Sequence, residues 1–139
     1  MINRKDVITL RIPFPSLSSD LAVYSHMYIC YSSNNTEYEF VKCQTLKPDM
    51  LIKKPIKHYW DENADINRNP FSRTTRIDCD KKFVTSAVQY NDSLKTTNRP
   101  DVCDDTMNHI ESEMSYNEYR TIALNEDDLV HLNPLVTKI

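Results

Sequence analysis

Glycine is absent from all 139 residues, where average usage of about 7% would supply about ten. Its absence excludes a Walker phosphate loop, a Rossmann glycine fingerprint and a G-x-S-x-G nucleophile elbow, because each needs glycine's backbone freedom. Asn-Gly and Asp-Gly hairpins are excluded with them, so the twelve asparagines are expected to take most left-handed turn positions. Long apolar runs are missing as well. None approaches the roughly 18 residues of a membrane span, and Met1-Ile2-Asn3-Arg4-Lys5 leads into no apolar signal segment. A cytoplasmic protein with no membrane partner is expected. Metal-ligand spacings are lacking too. Cys30, Cys43, Cys79 and Cys103 lie 13, 36 and 24 residues apart, and His26, His58, His109 and His131 fall at no zinc-ligand interval. Reduced thiols buried in apolar segments, no metal and no cofactor are expected.

Charge is present in both signs but unevenly placed. Residues 1–100 carry 15 basic and 11 acidic side chains, a net of +4, whereas residues 101–139 carry 2 and 9, a net of −7. A basic body suits nucleic acid; an acidic tail suits either a solvated extension or a segment folded over that body.

Alternation marks a strand from Asp6 to Phe14, with Ile8, Leu10, Ile12 and Phe14 on one face. Pro13 and Pro15 end its pairing or keep it at an edge. A Ser-rich loop, Ser16 to Asp20, separates it from a second strand, about His26 to Tyr31. The turn cluster Ser32-Ser33-Asn34-Asn35 then leads into a third strand, Glu37 to Thr45, completing an antiparallel meander. Residues 47–70 read as a long irregular insertion. Arg73 to Asp78 and Lys82 to Val88 read as two further strands. Arg99 to Met114 reads as a helix, with Pro100 in its first turn, Asp101, Asp104 and Asp105 at the positive end of the macrodipole, and Cys103, Met107, Ile110 and Met114 in one stripe. The fold class is therefore mainly β: a small, bent barrel with a terminal helix.

The run Lys5-Asp6-Val7-Ile8-Thr9-Leu10-Arg11-Ile12-Pro13-Phe14-Pro15-Ser16-Leu17 resembles the opening strand and turn of the PemK/MazF toxin family. In the same order, His26 to Tyr31 matches the family's second strand and Cys43-Gln44-Thr45 the end of its third. Thr75-Arg76-Ile77-Asp78 through Phe83-Val84-Thr85 is similar to the later strands, and the segment from Arg99 to the terminal helix. The resemblance spans about residues 1–114 and implies an SH3-like barrel of about five to seven strands, with 115–139 as an acidic C-terminal extension. It also implies metal-independent cleavage of single-stranded RNA, a homodimer, and an antitoxin protein as partner.

Such cleavage needs a group to take the 2′-hydroxyl proton, a proton for the leaving 5′-oxygen, and positive charge for the phosphorane. Where the family carries Arg-Pro, this chain reads Ser25-His26-Met27. The resemblance therefore assigns catalysis to His26, Thr45 and Arg76; an imidazole suits acid–base work better than a permanently charged guanidinium. Lys42, Lys47, Lys53, Lys54 and Lys57 followed by Tyr59 and Trp60 read as a single-strand edge, lysines for phosphate and an aromatic face for a base. Gln44, Lys47, Lys53, Lys54, Trp60 and Arg73 are the expected RNA-binding residues. The alternatives are a barrel that binds RNA or a protein without cleaving, and an acidic tail that covers the groove in cis.

Overall fold

The computed structural model describes residues 1–139. Nine strands and four α-helices follow in the order β1 (Val7–Leu10), α1 (Asp20–Val23), β2 (His26–Asn34), β3 (Glu37–Thr45), α2 (Pro48–Lys53), β4 (Tyr59–Glu62), β5 (Thr75–Asp78), β6 (Lys81–Thr85), β7 (Val88–Tyr90), α3 (Asp104–Met114), β8 (Arg120–Ala123), α4 (Glu126–Leu132) and β9 (Val136–Lys138). The fold is strand-rich and mixed, built on one large, mainly antiparallel sheet. β3 is its hub. It pairs along its length with β2, through Tyr38–Phe40 with β6, and through Cys43–Thr45 with β5. β1 lies beyond β2, β4 beyond β5, and β8 runs parallel to β6. The expected closed barrel is not formed by strand pairing, since β1, β4 and β8 end the sheet with no further strand on their outer sides; β7 and β9 make a separate ribbon.

Both faces of the central strands are buried, and this explains the irregular alternation of β3. Tyr38 and Phe40 join Ile8, Leu10, Tyr28 and Phe83 in one cluster. Val41 and Cys43 join Val7, Ile29, Ile77 and the α3 residues Met107, Ile110 and Met114 in the other. A strand covered on both sides reads as a near-continuous apolar run. Between Cys30 and Ser32 the β2–β3 register shifts by one residue, a bulge of the kind that bends a strand pair.

Several expectations are corrected here. Residues 47–70 are not structureless, because α2 packs Met50 inward and β4 pairs with β5. The helix begins at Asp104 rather than Arg99. Residues 99–102 run alongside β1 instead, with Val7 N–H donating to the Pro100 carbonyl and Val102 N–H to that of Lys5. Left-handed positions fall to Lys5, Lys54 and Ala87 as well as Asn35 and Asn117. Cys30, Cys43 and Cys79 are buried, while Cys103 is partly exposed.

The acidic segment is built into the fold. β8 extends the sheet, β9 pairs with β7, and Leu124, Leu129 and Val136 sit in the cluster that holds Ile8 and Phe83. Its carboxylates have local uses: Glu126 accepts from the Ser86 hydroxyl and backbone, and Asp127 pairs with Lys138. No helix is long and apolar enough to cross a membrane.

Candidate functional site

A cleft of about 730 Å³ opens where the end of β3 meets the start of β5. Its walls are the Phe14–Leu21 segment, the residues that open β2, and the start of α2. His26, Gln44, Thr45, Lys47 and Arg73 all line it, together with Lys42. The register explains the convergence. Met27 pairs with Cys43 and Thr45 with Thr75, so the start of β2, the end of β3 and the start of β5 reach the same edge of the sheet.

Each polar group in the cleft has a definable state. His26 Nδ1 lies 3.1 Å from the Tyr24 carbonyl, which can only accept, so Nδ1 carries the proton. Nε2 then holds the lone pair in the neutral ring, the atom that acid–base chemistry needs. Thr45 is exposed and its hydroxyl has no partner in the protein. The hydroxyl of Ser19, by contrast, is committed to the Phe14 and Ser16 carbonyls, and that of Thr75 to the Arg73 carbonyl. Lys42 is half-buried with no hydrogen bond or ion pair, and burial pushes its ammonium below the ordinary lysine value.

The distribution of paired and unpaired cations separates this cleft from the rest of the surface. Ten of the 17 Lys and Arg side chains sit in ion pairs. The seven without one are Arg11, Lys42, Lys47, Lys53, Lys54, Arg73 and Arg120. Lys42, Lys47 and Arg73 line the cleft. Lys53 and Lys54 follow on α2 and its left-handed cap, beside the lining residue Met50, and the Arg120 guanidinium lies over the ring of Phe14, another lining residue. Only Arg11 stands apart. Two carboxylates, Asp20 and Asp49, also line the cleft, and neither is paired.

Four expected site residues do not line the cleft. Arg76 is 2% exposed, bonded through Nε and Nη2 to both oxygens of Asp61 at 2.8 and 2.9 Å, with Tyr59 stacked over its guanidinium. Its partner is set by register, since Asp61 on β4 stands directly opposite it. Trp60 stacks on His109 of α3 at 3.5 Å between ring centroids and donates to Glu62, so it clips β4 to the helix rather than edging the lysine loop. Lys53 and Lys54 are exposed beside the cleft without lining it. No residue of 115–139 lines it either, so the tail does not cover the groove. Sequence reasoning placed Lys42 among five lysines and had no signal that it is the half-buried one. Nowhere in the fold do three His, Cys, Asp or Glu side chains converge as a metal site needs. No family model, curated protein or solved structure matches this chain.

Proposed function

We propose that this chain is a metal-independent endoribonuclease acting on single-stranded RNA, a divergent relative of the PemK/MazF toxins on an opened form of their SH3-like barrel. The observation that carries the proposal is the gathering of unpaired cations around one cleft that also holds a histidine with a free Nε2 and an uncommitted threonine hydroxyl. Phosphate binding needs cations that no carboxylate has already neutralised. In the proposed reaction His26 Nε2 takes the 2′-hydroxyl proton as the 2′-oxygen attacks phosphorus. Lys42 and Arg73 stabilise the phosphorane. The bond to the 5′-oxygen breaks, and that oxygen takes a proton from Lys42, whose burial makes it a stronger acid than an ordinary lysine. Thr45 holds a phosphate oxygen. Exposed Leu17, Tyr24, Leu51 and Ile52 lie on the segments that wall the cleft, apolar surface that suits an antitoxin or a second copy in a homodimer in the cytoplasm.

One observation favours a second reading, an RNA-binding module without catalysis: Arg76, the guanidinium that the resemblance assigns to catalysis, is spent on Asp61. Incubating a long single-stranded RNA in EDTA with wild type, His26→Ala and Thr45→Ala tests the two. Cleavage by the wild type and loss in both variants is expected. Intact RNA that is nonetheless bound would overturn the nuclease and leave the binder; no binding would overturn both.

A further inference from the structure

A second groove, of about 450 Å³, adjoins the first. Met27 lines both, and Pro70 of the second groove is followed directly by Phe71, Ser72 and Arg73 of the first. Thr9, Met27 and Cys43 are successive cross-strand neighbours on β1, β2 and β3, so the two grooves lie side by side across this row. At about 4.8 Å between strands, Thr9 stands roughly 10 Å from Cys43, within reach of adjacent nucleotides of one strand.

The two grooves differ in chemistry. The first holds three unpaired cations. The only charged residue of the second, Lys95, is paired with Asp6 at 3.3 Å. What remains is apolar surface from Met27, Leu94 and Pro70, beside the side chains of Thr9, Ser93, Thr97 and Asn98, none of which is hydrogen-bonded within the protein. The wall that carries them is held in place. Thr96 N–H donates to the Val7 carbonyl, its hydroxyl to the Arg99 carbonyl, and Lys95 bridges to Ile8. Thr97 and Asn98 are thus displayed from a fixed segment while their side chains make no hydrogen bond that holds it.

We propose that this groove is a nucleoside subsite, taking the base and ribose of the residue next to the phosphate bound in the cationic cleft. An uncharged groove with an apolar floor suits a base ring. An amide that both donates and accepts suits a base edge, and hydroxyls suit a ribose 2′-hydroxyl. The subsite rests on the proposal that the cleft binds single-stranded RNA.

The test is fluorescence anisotropy with labelled dinucleotides and hexanucleotides of each base, on wild type, Thr97→Ala/Asn98→Ala and Lys47→Ala/Arg73→Ala. The hexanucleotide is expected to bind tighter than the dinucleotide, with a base preference. The Thr97/Asn98 variant should weaken both oligonucleotides by about tenfold, erase the base preference, and keep the salt dependence. The Lys47/Arg73 variant should weaken both and flatten the salt dependence. Equal hexanucleotide affinity in wild type and the Thr97/Asn98 variant would overturn the subsite while the RNA-binding cleft stands. No binding of any oligonucleotide would overturn the cleft reading and the subsite with it.

Discussion

Replacing Glu62 tests how the cleft wall is held. This carboxylate is 2% exposed and accepts from Trp60 Nε1, Arg68 Nε and Nη2, Asn69 Nδ2 and Thr106 Oγ1, at 2.8 to 3.3 Å. It thereby ties β4, the Asn63–Asn69 turn and α3 together, just before the Pro70–Arg73 segment that walls both grooves. Glu62→Ala leaves the buried Asn69 and Thr106 groups each short of one acceptor, at about 1–3 kcal/mol apiece. Trp60 and Arg68 are partly exposed and can turn to water. Adding the vacated volume, the total falls at about 3–5 kcal/mol, the usual cost of breaking a buried ionic network. With a urea slope of about 2 kcal/mol per molar, the midpoint followed by circular dichroism should drop by about 2 M. Burial alone would raise the carboxyl's pKa, but the bonds from Arg68, Trp60, Asn69 and Thr106 outweigh it and hold the group below its ordinary value. Its stabilising share is therefore fully present above the unfolded value of about 4.3 and is lost as pH falls through the lowered folded value. The gap between wild type and Glu62→Gln should close over that window. A midpoint within about 0.3 M of wild type for Glu62→Ala would refute the account of the network.

Three unpaired lining cations give an expected salt slope of about −2 for single-stranded RNA, or about a twentyfold loss of affinity between roughly 50 and 200 mM salt. Arg73→Ala should cut that slope by about 0.7, whereas neutralising the paired Lys138 should leave it unchanged, both read by anisotropy titrations. Lys42→Met should raise the urea midpoint, by about 1 kcal/mol in stability, and weaken RNA binding, because the charge it removes is half-buried and unpaired. In the wild type that charge is lost at a lower pH than an ordinary lysine's, so Lys42→Arg should bind RNA better than wild type at alkaline pH. Ala87 holds φ 56 in an exposed connection, so Ala87→Gly should stabilise by about 0.5–1 kcal/mol; a lower midpoint would contradict the strain. Removing residues 115–139 takes Leu124, Leu129 and Val136 from the core at about 1.5–3 kcal/mol each, comparable with a whole domain's stability. The truncated chain should be unfolded by amide NMR dispersion.

The opening strand and the apolar stripe of the helix were legible because their side-chain spacing repeats locally, by two or by three and four. The convergence of His26, Thr45, Gln44, Lys47 and Arg73 on one cleft comes from cross-strand register, Met27 against Cys43 and Thr45 against Thr75, which spacing along the chain does not carry. The start of α3 was not legible, because residues 99–102 bond to β1, some ninety positions away. Eleven of the 25 residues of the acidic tail are apolar, and only the waiting cluster around Ile8 and Phe83 decides that Leu124, Leu129 and Val136 are the ones that become core.

The sequence by itself determined what local chemistry can determine. It excluded the glycine-dependent nucleotide motifs, set the strand and helix periods, and placed basic residues before acidic ones. Only the tertiary structure decided which charges are free. Arg73 and Arg76 are equivalent cations in the sequence, yet cross-strand register sets Asp61 against Arg76 and leaves Arg73 open to the cleft. Ion pairing depends on a few ångströms between side chains distant along the chain, and that distance exists only once the sheet has formed.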